Sequence, residues 1–276
     1  MVAERIAELA GALRGVAGVA ALNLTTGDRI ALRADERFPT ASAIKVFVLH
    51  SLYERAASGD LDLTERLPIP HDATTLGSGV LLHLGPGLCP SLADLGTLMM
   101  MVSDNFATNL LVDRLGIDAV NACIESIGLG DTRLAGRIDF ARLSQDKSAL
   151  GYSTPGDFVE YFARLRRGEL LDPSHTERVL DVLRIQKYIE PLRRYLPADP
   201  YAREFGEPEP VWVASKTGSL SGVRVEAGLV HTRHAEWAIA VMTREVADSR
   251  VTSDNDGVRF IAEVSREVYS EWGRAT

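Results

Sequence analysis

The feature that most constrains this 276-residue chain is where its hydrophobic period changes. Strand-like runs stand at both ends, and helical periods fill the middle. Near the start, "GVAALNLTTGDRIALRA" reads as two strands around the turn Thr25-Thr26-Gly27-Asp28. Near the end, "VWVASKTG", "VRVEAGLVHT" and "EWAIAVMTRE" read as three antiparallel strands. This distribution implies an α/β fold: one antiparallel five-stranded sheet built from both termini and flanked by the N- and C-terminal helices, with an all-helical insert between. The expected organisation is a single domain, with an α/β subdomain of about 1–41 and 205–276 and an all-α subdomain of about 42–204.

The helices have their own signals. Val2, Ile6, Leu9 and Leu13 form a helical stripe at the start. Residues 42 to about 58 read as a helix closed by Gly59, and "GLCPSLADLGTLMMMVSDN" enters another through a capping box of Ser91 and Asp94. "NFATNLLVDRLG" continues helically to Gly116, and further helices are expected around 118–127, 156–166 and 174–187. "PADPYAREFGEPEP" reads as a loop, and the last helix, about 254–272, carries Val258, Ile261, Val264 and Val268 on one face.

Several function classes are disfavoured. A net charge of −8 argues against a nucleic-acid partner, which needs a basic face. No apolar run of about 18 residues exists, so no membrane partner is expected. Glu4, Arg5, Glu8 and Arg14 interrupt any secretory h-region, which places the chain in the cytoplasm as it stands, or outside it if a leader has been trimmed. Cys89 and Cys123 fit no metal or disulfide framework and read as two buried free thiols. The six histidines form no HExxH and no Cys/His cluster; His231 and His234 fall in a hairpin turn. No metal and no cofactor are expected.

One short stretch resists a purely structural reading. "TASAIKVFVLH" places Lys45 on a core-bound helix, one turn past Ser42. The chain has only four lysines among its 30 basic residues, so it favours arginine for surface charge. Arginine stays protonated, whereas a buried lysine can be tuned into a base. At a helix start, Ser42 has a free N–H and a favourable dipole, and a neutral Lys45 could take its hydroxyl proton. The structural alternative is a serine cap beside a snorkelling lysine. A second SxxK, Ser144 to Lys147, reads as a chance match.

Two further motifs decide between them. Ser103-Asp104-Asn105 follows Ser42 by 61 residues, and Lys216-Thr217-Gly218 follows Ser103 by 113. With SxxK, SDN and KTG in this order, nearly the whole chain resembles the class A β-lactamase and penicillin-binding protein superfamily. The resemblance implies a serine acyl hydrolase. Ser42 is then the nucleophile, Lys45 its activator and Ser103 the proton relay to the leaving nitrogen. Asn105 bonds the substrate amide and Lys45, and Lys216 and Thr217 favour a substrate carboxylate. The backbone N–H groups of Ser42 and Ser219 form an oxyanion hole. Gly218 lets the substrate lie close to its strand, and Asp104 is structural. Arg224 is a carboxylate clamp or, equally, an ordinary edge-strand charge. A second "SDN", Ser253 to Asn255, falls after KTG and reads as a helix cap.

One departure bears on turnover. The family's deacylating glutamate is expected about three dozen residues past the SDN serine, ahead of a Thr-Pro pair. Here that count reaches Asp139, with Thr154-Pro155 following, and the supporting asparagine four residues on is Leu143. A side chain one methylene shorter holds a hydrolytic water less well. Asp139 is therefore a candidate base or, alternatively, a loop organiser paired with Arg137 or Arg142. The expected partner is a small molecule bearing an amide or ester and a carboxylate, and a monomer is expected. Rival readings are an intracellular esterase or acyltransferase, a D,D-peptidase, and a β-lactam sensor that acylates without turnover.

Overall fold

The computed structural model describes residues 1–70, 76–84, 87–188, 190–199, 202 and 205–274. Pro200, Tyr201, Arg203 and Glu204 of the expected loop lie outside the described residues. The chain opens with α1 (Val2–Ala12), β1 (Val16–Asn23), β2 (Arg29–Leu32) and β3 (Phe38–Pro39). A 3₁₀ turn, Ala41–Ile44, leads into α2 (Lys45–Ala57). Next come α3 (Leu92–Met101), α4 (Asn105–Leu115), α5 (Ile117–Ser126), β4 (Arg133–Leu134), α6 (Phe140–Gln145) and β5 (Gly151–Ser153). The chain ends with α7 (Pro155–Arg166), α8 (Pro173–Arg184), α9 (Glu190–Arg193), β6 (Trp212–Leu220), β7 (Val223–His231), β8 (Glu236–Arg244) and α10 (Asp256–Trp272).

The five-stranded sheet has the order β2-β1-β8-β7-β6 and is antiparallel throughout. The two ends of the chain meet at its centre, where Val16 pairs with Arg244 and Asn23 with Trp237. Both faces are covered, which is why the strands read as apolar runs: seven of the eight residues of β1 are buried. On one face, Ile6 of α1 and Ile261, Val264 and Val268 of α10 pack with Val19, Val241 and Trp237. On the other, Phe47 of α2 and Phe158 and Phe162 of α7 pack with Ala20, Ala240 and Met242. Each such large apolar side chain contributes roughly 1.5–3 kcal/mol by leaving water.

Local chemistry sets the element boundaries. Ser91 and Asp94 form the expected capping box on α3. Thr154 caps α7 by accepting from Asp157 N at 3.0 Å, with Pro155 at the first helical position. Asn255 caps α10 through Gly257 and Val258 N–H, which accounts for the second "SDN". Three expectations need correction. The insert is not all helical: β3, β5 and β4 form a small antiparallel sheet, too short to give a period-2 signal. The helix expected from residue 42 begins as a 3₁₀ turn, with α2 proper starting at Lys45. Cys89 is exposed, and only Cys123 is buried; both are free thiols. Among the described residues, no helix is long and apolar enough to cross a membrane.

Candidate active site

Ser42 sits on the 3₁₀ turn, which the fold holds in a strained shape. Ala41 immediately before it has φ +45°, left-handed backbone that costs a non-glycine residue on the order of 1–3 kcal/mol. Thr40 is anchored through its N–H to Gly151 O at 3.1 Å, and Ala43 N donates back to Thr40 O at 3.0 Å. Strand β6 seals the arrangement. A Cβ on Gly218 would meet Thr40 O at 2.3 Å, Ala43 N at 2.9 Å and Ser42 N at 3.1 Å. Gly218 therefore makes room for the serine turn itself. This contact brings the Ser42 N–H against the strand that carries Ser219.

Lys45, the first residue of α2, is wholly buried at 0% exposure. Its Nζ donates to Ser103 O (2.8 Å), Asn105 Oδ1 (2.9 Å) and Ser103 Oγ (3.1 Å). Two of these partners are carbonyl oxygens that only accept, while the third is a hydroxyl that can also donate. The set thus fits the neutral amine as well as the ammonium: two N–H groups go to the carbonyls, and the lone pair faces Ser103 Oγ–H. Burial, and then the nearby Lys216 charge, push the Lys45 pKa well below the usual lysine value, against a smaller pull from Asp104. None of the hydrogen bonds described for Lys45 goes to Ser42.

The loop between α3 and α4 is shaped for this contact. Ser103 has φ +53°. Asp104 caps α4 with one oxygen, accepting from Phe106 and Ala107 N–H at 3.0 and 2.9 Å. Its other oxygen accepts from Val80 and Leu81 N–H at 2.7 and 2.8 Å. Asp104 thus ties the Ser103 loop to residues 80–81 and takes no part in the cavity wall. Asn105 gives its amide N–H to Leu76 O at 2.9 Å, so only its oxygen serves Lys45.

The opposite wall is the edge strand β6. The β6–β7 register places Lys216 opposite Ala227 and Thr217 opposite Glu226, so Lys216 and Glu226 project from opposite faces. Lys216 is fully buried and donates to Thr217 O at 2.9 Å and Gln186 Oε1 at 3.4 Å. Burial pushes its pKa down to about 7, and Glu226 opposes the shift. Burial raises the Glu226 carboxyl to about 7 despite its bonds from Ser215 Oγ (2.6 Å) and Leu192 N (2.9 Å). Gln186, a residue the sequence did not single out, accepts from both Thr217 N (2.9 Å) and Thr217 Oγ1 (3.0 Å). Arg224 lies within the sheet, on β7 between β6 and β8, so it is not an edge charge. Its Nη1 donates to Leu220 O and Val223 O at 2.6 and 2.8 Å, and its Nη2 to Arg250 O at 2.7 Å. Most of its donors are thereby committed to backbone, and burial lowers its pKa.

These walls enclose a cavity of about 710 Å³ lined by Ser42, Ser103, Asn105, Thr217, Ser219 and Arg224. Lys187 and Tyr188, also missed from sequence, stand at its exposed mouth. Part of the lining is apolar, with Ile138, Phe140, Leu143 and Leu150. Asp139 does not join them. It is exposed, caps α6 by accepting from Ala141 N (2.9 Å) and Arg142 N (3.3 Å), and borders a neighbouring hollow with Arg137 and Arg142, which shares Ile138 and Phe140 with the cavity. Neither expected guanidinium pairing is described for it; Arg137 pairs instead with Asp113 at 3.1 Å. Ser144 is exposed and donates to Ala141 O, so the second SxxK lies outside the site.

Comparison with known proteins agrees with this geometry. A family model described as the beta-lactamase enzyme family matches residues 1–272. Beta-lactamase L2 of Stenotrophomonas maltophilia is 30% identical over 186 residues, 66% of this chain and 60% of that enzyme. Matches to such curated relatives span 45% to 62% of their length. Among solved structures, the β-lactamase of Sphaerobacter thermophilus superposes with a TM-score of 0.85 at 30% identity, covering 97% of this chain and 96% of that one. A mutant of PBP-A, solved as an acyl-enzyme complex with penicillin G, superposes with a TM-score of 0.82 at 26% identity, covering 98% of this chain and 95% of that one. With a buried-lysine serine site on the matching fold and a family model spanning nearly its full length, the chain belongs to the beta-lactamase enzyme family.

Proposed function

We propose that the protein is a serine acyl hydrolase of β-lactamase type that forms an acyl-enzyme on Ser42 and releases it slowly. The observation that carries this reading is the buried Lys45, bonded to Ser103 and Asn105 on one wall of a cavity that also holds Ser42. In the proposed cycle, Ser42 Oγ attacks the carbonyl of a cyclic amide, amide or ester, and its proton passes to neutral Lys45. The Ser42 and Ser219 N–H groups stabilise the oxyanion. Ser103 Oγ then gives its proton to the leaving nitrogen or oxygen and recovers one from Lys45, 3.1 Å away. The acyl–oxygen bond has formed and the bond to the leaving group has broken. No hydrogen bond is described between Ser42 and Lys45, and this step has their contact tighten around the substrate, as catalytic hydrogen bonds often do.

The substrate class follows from charge. Lys187 and Arg224 line the cavity, and the buried Lys216 bonds the Thr217 carbonyl beside it, which favours a small molecule bearing a carboxylate. Lys216 and Thr217 are the proposed anchors, and Arg224 acts through its field, because its donors serve carbonyl oxygens. Deacylation is the weak step in this proposal. The wall where a hydrolytic water would need a base presents Ile138, Phe140, Leu143 and Leu150.

A chromogenic cephalosporin followed by intact-protein mass spectrometry tests the reading. The expected result is a near-stoichiometric burst and a persistent adduct, lost in Ser42→Ala. Rapid sustained turnover would refute slow release, and labelling that survives Ser42→Ala would refute the nucleophile.

A further inference from the structure

A polar cluster that the proposed acyl transfer does not use lies between α2, α5 and α7. His50 and Glu54 of α2 and Cys123 of α5 each offer one ligand atom, and these atoms all lie within 4.8 Å of one another. His50 is fully buried, yet neither of its ring nitrogens has a hydrogen-bond partner. Tyr161 of α7 stands edge-on to the His50 ring, with centroids 5.4 Å apart, and its buried hydroxyl also lacks a partner. Buried polar atoms are ordinarily paired, so an imidazole with no partner beside a carboxylate and a thiol points to a component that would take one of its nitrogens.

We propose that His50, Glu54 and Cys123 form a three-ligand site for a divalent transition-metal ion of the zinc class. The donor set is one nitrogen, one oxygen and one sulfur, which suits borderline-soft zinc rather than magnesium or calcium. His50 and Glu54 stand four residues apart, on one face of α2. Cys123 supplies the second element, so the ion ties α5 to α2. Zinc bonds of about 2.0–2.3 Å set tetrahedral donors roughly 3.3–3.7 Å apart, and the three donor atoms here lie within 4.8 Å of one another. A thiolate and a carboxylate balance the dication and leave a neutral buried cluster. Binding forms the sulfur–metal bond and releases the thiol proton to solvent, with no change of oxidation state. Water takes the fourth position. The site braces α2 about one and a half turns beyond Lys45. It departs from the sequence-based expectation of no metal, which looked for ligands close together in the chain.

Metal loading of the full chain tests the proposal. Chelator-treated protein should take up one zinc per chain and gain thermal stability. Cobalt should produce a thiolate-to-metal charge-transfer band. That band should persist in Cys89→Ser and vanish in Cys123→Ala. Glu54→Gln, at a half-buried position that tolerates the change, should weaken metal affinity at least tenfold. Absence of the cobalt band in the wild-type chain would overturn the site, as would uptake well below one ion per chain. A band lost in Cys89→Ser instead, or an affinity unchanged in Glu54→Gln, would do the same.

Discussion

Lys216→Met should stabilise the protein, and the size of the gain should depend on pH in a defined way. Lys216 is wholly buried, and its pKa is pushed down to about 7. An unfolded lysine titrates near 10.4. Between these values the unfolded chain binds a proton that the native state does not, so unfolding free energy rises with pH across that window. Above about 10.4 neither state is protonated and the burial penalty is absent. As pH falls toward 7 the penalty grows, and below 7 it is constant. A difference of roughly three pKa units at about 1.4 kcal/mol each gives a span on the order of 4 kcal/mol.

Methionine has a similar length and no proton to lose, so the variant lacks this dependence. Urea unfolding of both proteins from pH 6 to pH 10 would measure it. The stability difference should be largest at or below pH 7 and shrink toward zero near pH 10. A difference that stays flat would refute the depressed pKa. The same titration reaches the chemistry, because the Lys216 charge helps keep Lys45 neutral. Acylation by a carboxylate-bearing substrate should fall as pH rises through about 7, with a neutral ester less affected. In Lys216→Met, acylation by the carboxylate-bearing substrate should be weak and should lose that fall.

Other outcomes follow from single contacts. Asp139→Asn keeps a capping oxygen and should leave the adduct's lifetime within twofold by mass spectrometry, whereas loss of a general base would lengthen it roughly 10²–10⁴-fold. Asp139→Ala removes the cap of α6 and should cost about 1 kcal/mol in urea unfolding, again without trapping the adduct. Gly218→Ala places a methyl 2.3 Å from the backbone oxygen of Thr40 and should cost roughly 1–3 kcal/mol while slowing Ser42 acylation by tenfold or more in stopped-flow assays. Gln186→Leu leaves the buried Thr217 N–H without its partner and should cost about 1–3 kcal/mol, with a raised KM for carboxylate-bearing substrates.

Much of this was legible in the sequence because period and punctuation are local. The five strands, the Ser91 box, Thr154-Pro155 and the Asn255 cap all follow from residues within a few positions of one another. Ser42, Lys45, Ser103 and Lys216 were legible as candidates because each lies in a short pattern, and the fold brings the patterns together. Gln186 was not, because its role is a contact with Thr217, 31 residues away, and no pattern surrounds it. The small sheet was hidden because two- and three-residue strands are too short to show a period.

Asp139, legible as a candidate base or a loop organiser, takes its pose for a local physical reason. Counting along a loop fixes how far the chain has travelled but not which way a side chain points. That direction is set by whichever hydrogen bonds are nearest. A carboxylate just before a helix finds free N–H groups two and three residues ahead, and here it takes both. Its neighbours Ile138 and Phe140 then face the cavity, and Leu143, one turn on, joins them. In this structure the carboxylate takes the capping pose. To act on a water beside Ser42, a carboxylate would have to project from one of those cavity-facing positions. Those positions hold Ile138, Phe140 and Leu143 here, and the proposed slow release of the acyl group rests on their lack of a carboxylate.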